Sequence, residues 1–233
     1  MLLWYNHFLA SFKWAERDTY YMTTPIHPSL ESMSRWTAQT VGMNSDILDR
    51  MEQAVAKVRE RLLRATSALN QVGVAYAVVG GNAVASWVAT IDEGAVRNTR
   101  DIDLLVRRSD LPAITDALEQ VGFVGGTVLD VVMFRDGAEG KPSEAVHLLF
   151  AGEKTRPDHS LPAPEIQTID DPANFRVLTL DALVTMKLMS NRLKDKVHVQ
   201  DMIGVRLIDA SWLTKLPPEL ADRLKQILDT PDA

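Results

Sequence analysis

From Ser45 onward the apolar residues Ile47, Leu48, Met51, Val55, Val58, Leu62 and Leu69 recur at a helical period. That spacing predicts one long amphipathic helix ending near Gly73, with Asn44 or Ser45 as its cap. The next stretch, "VAYAVVGG", is uniformly apolar and stops at a glycine pair, so it reads as a buried strand with a turn at its end. "NAVASWVA" opens from that turn as a short helix, and the polar "IDEGAVRNT" follows as a loop. "RDIDLLV" is then a strand, and "SDLPAITDALEQVGF" a helix with Ser109 or Asp110 as cap and Gly122 as stop. Two more strands, "TVLDVVMF" and "EAVHLLF", are separated by "RDGAEGKPS", which has the turn chemistry of a hairpin.

Beyond them the pattern changes. "AGEKTRPDHSLPAPEIQTIDDPANF" carries Pro157, Pro162, Pro164 and Pro172 and predicts an extended connector over the surface. "TLDALVTMKLMSNRLKDKVHVQDMIGVRL" contains no proline and only Gly204, which predicts two helices, and "PPELADRLKQILDT" predicts one more. The expected class is α+β: a small mixed β-sheet flanked by helices, with a C-terminal helical region. The expected organisation is a poorly patterned N-terminal extension at 1–43, a core at 44–155, the proline-rich connector at 156–175 and helices over 176–233. Aromatic residues crowd the extension, where Met22, Met33 and Met43 offer later starts. The competing expectation there is a helix docking through Trp4, Phe8 and Trp14.

Composition narrows the chemistry. The chain has 233 residues, 46% hydrophobic and 24% charged, ordinary for a globular protein with one sizeable core. It has no cysteine, which excludes disulfides, zinc-thiolate sites and thiol nucleophiles. A formal charge of -6 argues against broad binding to DNA or to an acidic membrane, both of which need a basic surface. No run approaches the roughly 18 apolar residues of a membrane span, and Met1 to Ala10 lacks the pattern of a signal peptide, so the expected location is the cytoplasm.

Against that background the carboxylates of "RDIDLLV" stand out. Side chains in a strand alternate, so Asp101 and Asp103 project to one side while Ile102 and Leu104 face the core. Two carboxylates held together repel, and a hard divalent cation relieves the repulsion. The alternative is a solvated edge strand. The preceding Gly80-Gly81 turn lets backbone approach a phosphate, and the helix opening at Asn82 adds a favourable dipole. Arg97 and Arg100 beside the pair offset its charge or reach a triphosphate.

"VVGGNAVASWV" followed by "RNTRDIDLLV" resembles the nucleotidyltransferase superfamily built on the polymerase-beta-like core, with its Gly-Gly or Gly-Ser turn followed by Asp-x-Asp. Within it the chain is most similar to AbiEii-type toxin and minimal nucleotidyltransferases, and less so to aminoglycoside nucleotidyltransferases. The likeness spans Val74 to Phe150 and, more loosely, the tail to Leu207. It implies an Mg²⁺- or Mn²⁺-dependent enzyme that moves an NMP from an NTP to a hydroxyl acceptor on RNA, protein or a small molecule. It places metal at Asp101 and Asp103 and nucleotide at Gly80, Gly81 and Asn82.

The same pattern expects a third carboxylate, where "EAVHLLF" offers His147. His147 reads as a general base, a nitrogen ligand or a satisfied half-buried histidine. Asp130 and Glu153 are the substitute carboxylates, with Glu144 on the opposite strand face. In the tail, Leu180, Leu183, Val184 and Lys187 share a stripe, which puts Lys187 on an otherwise apolar face. Lys187, Lys194 and Asp201 share a face if the helix is unbroken, and the resemblance assigns Lys187 and Lys194 to nucleotide phosphates. The departure at His147 supports a second expectation: a degenerate member that binds nucleotide or a partner protein, in a toxin-antitoxin-like setting.

Overall fold

The computed structural model describes the backbone of residues 30–230 and side chains from Asp46 onward. The chain divides into Met1–Ile47 and Leu48–Ala233, and the second unit holds the sheet and the site. Expectations for Trp4, Phe8 and Trp14 lie outside the described residues.

Helix α1 runs through Leu30–Gln71, so its backbone passes Asn44 and Ser45 without the cap expected there. Of its apolar stripe, Leu62, Ala65, Ala68 and Leu69 enter the core, whereas Ile47, Leu48, Met51 and Val55 are exposed. The chain then forms β1 (Tyr76–Val79), α2 (Gly80–Ala89), β2 (Ile102–Val106), α3 (Leu111–Gln120), β3 (Phe123–Val128), β4 (Val131–Asp136) and β5 (Val146–Phe150). After these come β6 (Thr168–Asp170), β7 (Arg176–Leu178), α4 (Leu180–Ser190), α5 (Leu193–Gly204) and α6 (Pro218–Asp229). The result is the expected α+β class, with one mixed seven-stranded sheet ordered β3-β4-β5-β2-β1-β7-β6 and helices packed on it.

β1 lies inside this order, between β2 and β7, and all four of its residues are buried, which explains its unbroken apolar run. It pairs antiparallel with β2 and parallel with β7, and β2 pairs parallel with β5. These pairings set Val79 opposite Asp103, and Asp103 opposite His147. Register alone therefore brings the end of the first strand, the aspartate and the histidine to one corner, at the same end of the three middle strands β5, β2 and β1.

Several elements differ from the sequence expectation. "TVLDVVMF" is two strands, because Leu129 and Asp130 both take positive φ, 48° and 64°, and make a two-residue hairpin turn. That backbone is the primed turn that strand twist favours, here built without glycine. "RDGAEGKPS" does join two antiparallel strands, β4 and β5. The proline-rich segment is only partly a surface connector, since it supplies edge strand β6 and buries His159 and Ala163. Helix α2 opens at Gly80 rather than Asn82. A 3-10 turn over Arg108–Asp110 leads into α3, and Asp110 makes no side-chain cap bond.

The tail helix is broken. Asn191 sits in the left-handed region at φ 49°, and its N-H donates to the Lys187 carbonyl at 3.0 Å, which ends α4. Arg223 of α6 donates to the Leu188 and Met189 carbonyls at 2.9 and 2.8 Å, capping the same helix end from outside. Lys187 and Lys194 therefore lie on different helices.

Candidate functional site

Asp101, Asp103 and His147 come together: one ligand atom from each lies within 4.8 Å of the others. Asp103 is fixed by the ladder on both sides, and the strand-end glycine makes room for it. Gly80 has φ +67°, and a Cβ there would stand 2.8 Å from Asp103 Cγ. Only glycine accepts both that backbone and that neighbour. Gly81 is also closely packed, since a Cβ would fall 2.9 Å from Thr99 Cβ.

His147 is held from both ends. Its Nε2 lies 3.1 Å from the Pro142 carbonyl, and its Nδ1 lies 3.6 Å from Asp103 Oδ1. A carbonyl only accepts, so Nε2 carries the hydrogen and Nδ1 is the nitrogen that faces the carboxylates. The Asp103 carboxylate, working against burial, raises His147 above the ordinary imidazole value.

Asp101 precedes the ladder and depends on side chains. Thr99 donates its hydroxyl to Asp101 Oδ1, Asn82 Nδ2 donates to the Asp101 carbonyl at 2.8 Å, and Lys194 Nζ approaches Oδ2 at 3.7 Å. Burial opposes the ionised form, but Thr99 and Lys194 outweigh it and hold Asp101 below the usual carboxylate range. Thr99 was not singled out from the sequence, where a threonine two residues before an aspartate carries no signal of its own.

The remaining expected residues divide. Lys194 reaches the site, and Asn82 serves it through its side chain. Arg97 points to α5 instead, where its Nε donates to Asp201 Oδ1 at 2.7 Å. The Arg100 side chain is exposed, and its carbonyl accepts from Arg61 at 3.4 Å. Lys187 is buried as its stripe implied, but its Nζ meets Asp195 at 3.2 Å. Burial pushes Lys187 below the usual lysine range, and Asp195 and then Asp103 pull the other way. Asp195 also accepts from Ser190 and Arg192, both at 2.7 Å, and sits at about 2 although burial opposes its charge.

Neither substitute carboxylate joins the site. Asp130 is at the exposed hairpin tip, and Glu153, beyond the far end of β5, is held by Arg108 through two bonds of 2.6 Å. Glu144 keeps to Arg61. Among the described residues no helix is long and apolar enough to cross a membrane.

No protein-family model matches the chain, and no curated protein matches it in sequence. Among solved structures it is similar to the antibiotic-resistance factor ANT(2'')-Ia, with 12% identity and a TM-score of 0.47 over 76% of this chain and 93% of that one. It is also similar to an antigenic nucleotidyltransferase-like protein from Paracoccidioides brasiliensis, with 16% identity and a TM-score of 0.44 over 76% and 88% of the two chains. A third is JHP933 from Helicobacter pylori, with 14% identity and a TM-score of 0.43 over 78% and 76%. What the site can do rests on its own groups.

Proposed function

We propose that the chain is a metal-dependent nucleotidyltransferase that moves an NMP from an NTP to a hydroxyl acceptor. One observation carries the reading: Asp101, Asp103 and the Nδ1 of His147 converge beside a glycine turn that opens a helix. Two carboxylates and an imidazole form a donor set that suits Mn²⁺ as well as Mg²⁺. The Pro142 carbonyl orients the imidazole from behind, as an outer partner orients a metal-ligating histidine. His147 thus stands where the sequence pattern expects a third carboxylate. When bound, the cation would neutralise charge developing on the phosphoryl oxygens in transfer.

The chain's own groups supply the rest. The first turn of α2 contains no acidic residue, and its backbone N-H groups and dipole favour phosphate oxygens. Lys194, half-exposed beside Asp101, would pair with the same phosphates, and the exposed Arg100 immediately precedes that aspartate in the chain. Lys187 acts through α5: with Asp195 it fixes the helix that carries Lys194. In the transfer, the acceptor oxygen forms a bond to the α-phosphorus as the bond to pyrophosphate breaks, and the acceptor proton passes to solvent water.

A second reading, nucleotide binding without turnover, is favoured by one feature. Lys194 Nζ and His147 Nδ1 already lie beside the two carboxylates as internal partners. The two readings separate on incubation of the purified chain with each labelled NTP, Mg²⁺ or Mn²⁺, and RNA, protein or small-molecule acceptors. Transfer that disappears in Asp101→Ala and Asp103→Ala establishes the enzyme. NTP binding with no transfer, together with activity created by His147→Asp, establishes the binder. Failure to bind any NTP sinks both.

A further inference from the structure

Asp101 and Asp103 are held in different ways. Asp103 belongs to the ladder, whereas Asp101 ends a twelve-residue connection, 90–101, that leaves α2 and crosses an exposed surface before β2 begins. Within that loop Arg97 meets Asp201 of α5 at 2.7 Å, and Thr99, two residues further on, holds the Asp101 carboxylate. Helix α5 thus touches the approach to Asp101 at two points, through Asp201 to Arg97 and through Lys194 to the carboxylate itself. The two contacts are seven residues apart, about 10 Å along a helix axis. Asp201 is well covered, with a side chain 11% exposed, while Arg97 is 65% exposed, so the arginine is the loop's tie to a fixed anchor.

We propose that the Arg97–Asp201 ion pair is a positioning device for Asp101, acting through Thr99, rather than part of the phosphate-binding surface. The proposal rests on the metal-site reading above. Simple charge and positioning predict opposite signs at one of the two residues. If the pair acted only through its charges, removing the Arg97 cation would tighten a divalent metal and removing the Asp201 anion would weaken it. If the pair orients Asp101, both removals weaken the metal, and the second adds little to the first.

The test is Mn²⁺ titration of the full chain, read as free Mn²⁺ by electron paramagnetic resonance, with thermal unfolding of each variant followed by circular dichroism. Arg97→Ala and Asp201→Asn are each expected to raise the Mn²⁺ Kd about tenfold, the low end of what outer partners of metal ligands contribute. The double variant is expected to lose no more than either single, Arg97→Lys to recover part of the affinity, and the unfolding midpoints to stay near wild type. Unchanged or tighter binding in Arg97→Ala overturns the positioning role while leaving the metal site standing. Additive losses in the double variant overturn it as well. A wild-type chain that takes up no Mn²⁺ overturns the metal site itself.

Discussion

Gly80 is the residue on which the corner turns. Its positive φ and the Asp103 carboxylate pressed against it leave no volume for a side chain. Gly80→Ala is expected to cost roughly 1–3 kcal/mol, read as a shift in the urea midpoint, and to weaken Mn²⁺ binding by displacing Asp103. His198 supplies a pH dependence of its own. Burial, reinforced by Lys187, lowers it to about 4, and its Nδ1 has no hydrogen-bond partner. The folded value lies below the unfolded one, so the associated stability is complete above about pH 6.5 and is lost as pH falls toward 4. Partial solvent access reduces the effect to about 1–2 kcal/mol, and His198→Gln should flatten that stretch of a stability-against-pH curve. At this scale the sequence was informative where strand alternation decides the answer, as for Asp103 on β2. It was silent where tertiary neighbours decide, as for Thr99 against Asp101 and for Arg97, whose partner lies 104 residues away.

Among the elements, α4 and α5 depend most on a few side chains. Asp195, 1% exposed, gathers Lys187, Ser190 and Arg192 across the break at Asn191. Asp195→Asn leaves a buried ammonium without its counter-charge and is expected to cost about 3–5 kcal/mol by chemical denaturation. A paired Lys187→Met should recover much of the loss, because the two residues share one interaction. Asp195 is depressed to about 2, so its contribution is present above about pH 4 and disappears as pH falls through 2. The sequence predicted two helices here but not the hub, since an aspartate in a helical run also reads as a solvated face. The hairpin at Leu129–Asp130 was missed for a related reason. Neither residue is a usual turn former at both central positions, and the pairing of β3 with β4 imposes the backbone that glycine or asparagine would have announced.

In the whole molecule, buried layers and exposed extensions respond differently. Leu62, 6% exposed, is core, and Leu62→Ala is expected to cost about 2–5 kcal/mol. Leu48 and Met51, 59% and 61% exposed on the same helix, should accept glutamine with changes within about 0.5 kcal/mol, measured by the same denaturant titration. The α+β class and the order of elements through β2 were legible, because apolar runs and glycine stops coincide there with real boundaries. Strands β6 and β7 were not, since three residues beside several prolines leave no period to read. The tip between β3 and β4 has a practical use. Leu129 is 92% exposed, and the sheet order places β4 and β5 between β3 and the aspartate-bearing strand. A reporter peptide spliced between Leu129 and Asp130 is therefore expected to give a labelled chain whose Mn²⁺ affinity is unchanged.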